Sequence, residues 1–238
     1  MYATRGGRNI GAGIVLLSVA TVAVALLFWN SPLLLPVKLF VVLLHEISHG
    51  MAALLTGGRV EQLVLLQDEG GLAFTRAGNR FLILSAGYLG SALWGILFMR
   101  LAWAAPATRR LAVRLVGLAL LLVTLLYVRS LFTLIYVAGV TLLLIALGWR
   151  GSAAVQRAAL WLFGSFSCLY AVIDIGTDIL LRGPLAGVPF LGGTTGFSND
   201  AELLASITLI PSFVWGLLWS VLALALYVSA VYSLAMRR

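Results

Sequence analysis

The chain has only two histidines, four residues apart, with a glutamate after the first: His45-Glu46-Ile47-Ser48-His49. Four residues advance a helix by about 6 Å and return to nearly the same face. Both imidazoles can therefore grip one metal ion, with Glu46 beside them and within reach of a water on that ion. The pattern is the one that hydrolytic zinc sites use. Zinc with three protein ligands keeps a fourth position for water. The ion lowers the pKa of that water toward about 7 and polarises a carbonyl. Glu46 would take the proton and later pass it to the leaving amine.

A third ligand must come from elsewhere, and an acidic residue is expected, because Cys168 is the single cysteine. That single thiol also excludes an internal disulfide and a thiolate cluster. There are eight acidic residues. Glu46 has its role, and Glu61, Asp68 and Glu69 fall in a connector described below. Asp200 and Glu202 stand at a helix start, where acids cap and complement the dipole. Asp174 and Asp178 remain. Asp178 lies four residues before Arg182, an ion-pair spacing. Asp174 has no partner at helical spacing and lies deep in its segment. Asp174 is therefore the preferred third ligand, with Asp178 the alternative.

The elements that carry these residues are membrane helices. The composition is 62% hydrophobic and 10% charged, against about 25% charged in a soluble domain, and the mean hydropathy is +1.07. Seven segments approach the roughly 20 apolar residues of a span: 10–29, 33–56, 81–104, 110–128, 131–149, 158–181 and 208–235. The pair 110–128 and 131–149 is separated by Arg129 and Ser130 alone. It reads as a tight hairpin or one irregular element, so six or seven spans are expected. Arg5 and Arg8 precede an apolar run too long for a signal peptide, read as a retained first helix. They favour a cytoplasmic N-terminus, but seven spans would then place Arg109, Arg110 and Arg150 outside, against the positive-inside rule.

The net charge of +8 comes almost wholly from arginine. Because the arginines flank apolar runs, they are read as anchors to anionic headgroups and not as a nucleic-acid surface. Trp29, Trp103, Trp149 and Trp161 lie near segment ends, as interfacial aromatics do. Residues 59–76 break the helical pattern with two β-prone runs around Gly70-Gly71, a hairpin signal. The fold class expected is an all-α polytopic transmembrane bundle of 6–7 helices, one integral-membrane domain over 1–238, with a small β-hairpin after the metal-binding helix. That helix carries its pentapeptide mid-way along 33–56. An ionisable group there costs roughly 2.5–3.5 kcal/mol, which marks it as functional.

Leu43 to Ala53, Leu-Leu-His-Glu-Ile-Ser-His-Gly-Met-Ala-Ala, resembles the zinc helix of the site-2 protease family of intramembrane metallopeptidases. Ser-Ala-Gly-Tyr-Leu-Gly-Ser at 85–91, Asp-Ile-Gly-Thr-Asp at 174–178, Ser-Asn-Asp-Ala at 198–201 and Trp-Gly-Leu-Leu-Trp at 215–219 resemble its B-like branch, which lacks PDZ and CBS domains. The resemblance runs from about residue 38 to 220. It implies one Zn²⁺ ion, a multi-pass location with the bacterial plasma membrane expected, and cleavage of a membrane-protein substrate within the lipid bilayer. The alternatives are a non-catalytic protein that binds membrane segments, a metal-binding membrane protein, and a metalloenzyme acting on a lipid or small molecule. Gly87, Ser91 and Gly95 form a small-residue stripe that lets another helix approach. The family packs this helix beside the zinc helix, which makes Gly87 and Ser91 candidates for substrate positioning, with the Ser91 hydroxyl a donor to the substrate carbonyl. The 59–76 hairpin offers a strand edge to hold an unwound substrate by strand addition.

Overall fold

A computed structural model describes residues 4–67, 70–176 and 199–236. The elements run α1 (Thr4–Phe28), α2 (Leu35–Leu55), β1 (Arg59–Leu65), β2 (Gly71–Arg76), α3 (Arg80–Ala102), α4 (Pro106–Tyr127), α5 (Leu131–Arg150), α6 (Ala153–Ile175), α7 (Asp200–Thr208) and α8 (Ser212–Ala235). Among the described residues, seven helices are long and apolar enough to cross a membrane: all but α7. The expected fold class holds, an all-α polytopic bundle with one small antiparallel hairpin. The segments left open as one irregular element are two full helices, α4 and α5. Ser130 caps the second through Thr133.

Local chemistry places the ends. Pro36 stands in the first turn of α2, and Pro106 in that of α4, where the missing N–H costs nothing. Side chains of Asn79 and Ser152 accept from the third residue beyond them, at the starts of α3 and α6. Gly57, at φ +83°, turns the chain from α2 into the hairpin; Gly78, also at φ +83°, turns it out into α3. A side chain is rarely tolerated at such angles.

Burial separates the inner helices from the outer ones. The span of α2 is 67% buried and that of α6 61%, against 17% for α1. The central helix is α3, which packs on α2, α6 and α8. Small residues allow its close contacts. A Cβ on Gly164 of α6 would stand 2.8 Å from the Gly95 carbonyl oxygen, so these two backbones touch directly, as small-residue crossings permit.

The hairpin does not project from the bundle. It folds back along α2, with Gly58 donating to the Ala53 carbonyl at its base. Val60 packs against Gly50, and Gly71 at the far end reaches Val42 and Glu46. Irregular backbone at membrane depth survives only when buried in protein or beside a water-filled cavity. Here α5 helps satisfy it: the Thr133 hydroxyl accepts from the Leu65 amide at 2.8 Å, and Leu63 bridges to Val128.

Two expectations about the membrane boundary need correction. Trp161 is not an interfacial anchor: it is 3% exposed, and its indole N–H donates to Thr21 on α1 at 3.2 Å. The polar handle of a buried tryptophan needs such a partner. Arg109 is not an exposed anchor either. It is 1% exposed, and its Nη1 donates to the carbonyls of Ala102 and Ala104 at the end of α3, which lack helical donors of their own. Trp149, 70% exposed under the Arg114 guanidinium, keeps an outer position.

Candidate metal centre

The face of α2 that carries the pentapeptide is turned inward. His45, Glu46, Ser48 and His49 are all buried. Nε2 of His45 lies 3.0 Å, and Nε2 of His49 3.1 Å, from one and the same oxygen, Oδ2 of Asp200. The three residues form the one group of metal-ligand side chains among those described. Ligands about 2.0–2.1 Å from a tetrahedral zinc are separated from one another by roughly 3.3 Å. The observed spacing is a few tenths of an ångström short of that. Two imidazole nitrogens and a carboxylate oxygen are also the donor set of catalytic zinc sites. The residues present fit the ion.

Neighbouring groups orient these atoms. Nδ1 of His49 donates to the Ile83 carbonyl at 2.7 Å. A carbonyl can only accept, so Nδ1 carries a proton and Nε2 is the nitrogen turned toward Asp200, the usual outer contact of a ligating histidine. His45 is held by packing: Tyr88 meets its ring edge-on at 4.8 Å, and Tyr170 at 6.2 Å. Burial alone would raise the pKa of Asp200, which lies outside the seven spans. The charge of His49 and the hydrogen bonds from both imidazoles outweigh that and hold its carboxyl below the ordinary carboxylate range.

The third member of the group is a correction. The sequence favoured Asp174, and the structure does not bring Asp174 into the group. Its carboxylate accepts from the Tyr88 hydroxyl at 2.8 Å, so it stands one residue removed, behind the ring that packs on His45. Asp178 lies outside the described residues. Asp200 takes the position instead, although it stood as a capping acid. The cap is made by its neighbours: Asn199 accepts from the Glu202 amide at 2.9 Å, and the Glu202 carboxylate accepts from the Asn199 amide at 3.3 Å. This reciprocal box leaves the residue between its two ends free to face α2. An Asn-x-x-Glu pattern was legible in the sequence. It would have removed Asp200 from the list of caps.

The glycines of α3 shape the other wall. A Cβ at Gly87 would meet His45 and His49 together, the nearer carbons at 2.5 and 2.6 Å; at Gly90 it would strike Ser48. The small residues therefore clear space for the histidine-bearing face of α2. Ser91 belongs to a different contact. It is fully buried, its hydroxyl donates to the Gly87 carbonyl at 3.0 Å, and its own carbonyl accepts from Ser167 of α6 at 2.7 Å. It joins α3 to α6 and presents no donor to a substrate, which corrects the role expected for it.

Glu46 is covered from the hairpin side. Gly71 of β2 approaches it so closely that an added Cβ would stand 2.5 Å from Oε1. The hairpin thus presses its second strand against the one acid of the pentapeptide. The profile of the Peptidase M50B-like family matches residues 18–230, nearly the whole bundle just described. The chain belongs to this family. With its seven membrane-length helices, this M50B-like peptidase is a multi-pass integral membrane protein. Comparison with curated proteins and with solved structures returned no match. The M50B-like assignment therefore rests on the family profile, beside the geometry of His45, His49 and Asp200.

Proposed function

We propose that this protein is an intramembrane zinc endopeptidase that hydrolyses a peptide bond in or near a transmembrane segment of a membrane-protein substrate. The observation that carries the reading is the meeting of His45, His49 and Asp200 at 3.0–3.1 Å inside a helix bundle, with Glu46 on the same buried face. Zinc held by those three side chains would supply Lewis acidity toward a water and a scissile carbonyl.

The other steps belong to the chain. Glu46 removes a proton from the attacking water and delivers it to the departing amine. The close approach of Gly71 confines the Glu46 carboxylate. Ile83 fixes the His49 tautomer, and Asp174 acts through Tyr88, steadying the ring against which His45 rests. A substrate helix resists cleavage because its amides are bonded internally. Beside Glu46, β2 pairs with β1 and offers its other edge to a substrate segment held extended by strand addition. Enclosure by α2, α3 and the hairpin limits bulk water, which strengthens each polar interaction at the site.

The test compares the purified wild type with Glu46→Gln on a candidate transmembrane substrate, with bound zinc measured in both. The variant is expected to keep one zinc per chain and to lose cleavage by at least about a hundredfold, the scale of general-base catalysis. Equal cleavage by both proteins, or no zinc in either, overturns the proposal.

A further inference from the structure

The far end of α3 holds a second concentration of chemistry, about 22 Å along the helix from Gly87. Here Arg109, in the first turn of α4, is buried at 1% exposure. Its Nη1 caps the end of α3, but Nε and Nη2 are buried and have no acceptor among the described residues. Those two N–H groups are parallel donors on one edge of the guanidinium, the fork that grips two oxygens of a phosphate or carboxylate at once. The indole N–H of Trp103, next to the carbonyls that Arg109 caps, is also buried without an acceptor.

Among the described residues, the charged side chains acting on Arg109 are arginines. Arg110 and Arg157 are exposed neighbours whose positive fields reach Arg109. Arg157 lies over the Trp103 ring at 4.9 Å. The helices α4 and α6 both begin here, and neither has an acid in its first turn, while the carbonyl ends of α3 and α5 are already met by Arg109 and Gln156. A buried guanidinium with two unmatched N–H groups among like charges is completed by an anion.

We infer that Arg109, Trp103 and Arg157 form a binding site for a phosphate group, the anion that a lipid headgroup presents where helices emerge from the bilayer. The phosphate oxygens accept from the Nε and Nη2 edge of Arg109 and from the Trp103 indole. The exposed side chains of Arg110 and Arg157 move to admit the group and then enclose it. The site stands apart from the metal centre and does not depend on peptidase activity.

Thermal unfolding of the full chain in neutral detergent tests this. The additives are phosphatidylglycerol, phosphatidylcholine of the same acyl chains, and inorganic phosphate. Phosphatidylglycerol at a hundredfold excess over its Kd is expected to raise Tm by roughly 5–10 °C, and phosphatidylcholine much less. A saturable shift with inorganic phosphate instead assigns the same site to a free anion. Arg157→Gln, an exposed change that leaves the core intact, should lose at least half of the shift. So should Arg109→Lys, which keeps the charge but lacks the fork. Arg76→Gln, exposed at the base of the hairpin, should respond as wild type. Equal shifts with both lipids, no shift with any additive, or an unchanged shift in Arg157→Gln overturns the site.

Discussion

Replacing Gly87 by alanine isolates the metal centre from the fold that carries it. The added methyl would stand 2.5 Å from Cε1 of His45 and 2.6 Å from Cε1 of His49. Carbon atoms settle at about 3.5–4.0 Å, so the two rings together must retreat by roughly 1 Å. Ligand atoms tolerate only about 0.2 Å before a zinc site degrades. The helix itself gains from the change, because alanine is favoured over glycine by about 0.8–1.0 kcal/mol in a helix interior. Overpacking costs about 1–3 kcal/mol, so the two effects on stability nearly offset. Gly87→Ala should therefore fold, with a Tm within a few degrees of wild type, while zinc affinity falls about a hundredfold. Competition against a chromogenic chelator in detergent measures that affinity. Gly139→Ala is the control, since nothing lies within 4 Å of a Cβ there. If Gly87→Ala holds zinc as tightly as Gly139→Ala, α3 does not wall the site as described.

Asp200→Asn removes the charge that both imidazoles face and should weaken zinc binding by at least tenfold, whereas Asp174→Asn should keep one zinc per chain; metal analysis after dialysis reads both. The reverse pattern would restore Asp174 as the ligand. Gly71→Val places methyl groups where Glu46 and Val42 stand, 2.5 and 2.7 Å from the first added carbon. It should retain zinc and lose cleavage by more than tenfold. Wild-type turnover in this variant would show that β2 does not position the glutamate.

The part of the centre legible in the sequence is the part set by local geometry. His45, Glu46 and His49 share a helix, and a spacing of four fixes their common face whatever surrounds them. The hairpin was legible for the same reason, as two short β-prone runs around glycine. The acid that joins the two histidines was not the one expected, because depth along a segment was taken for nearness in space. Asp174 and His45 sit at comparable depths of the expected segments 158–181 and 33–56, yet Tyr88 stands between them, and Asp174 is the next-to-last residue of α6. The short helix α7 does not span, so no depth argument could reach it. Arg109 was misread for a related reason: a charge at the end of an apolar run can turn back to cap its neighbour as readily as it can extend into headgroups. The stripe of Gly87 and Gly95 was recognised as small. Only tertiary contacts show that one glycine clears two imidazoles while the other admits a helix backbone.

His45 and Asp200 are 155 residues apart in the chain, and that separation has a meaning during synthesis. A ribosome makes both histidines and Glu46 early, in the second helix. The carboxylate that completes the group follows only after α3, α4, α5 and α6. Until α7 docks, the nascent protein carries two of the three side chains of the group. The group is thereby assembled late, with only α8 still to follow. A prematurely terminated chain lacking α7 would be inert.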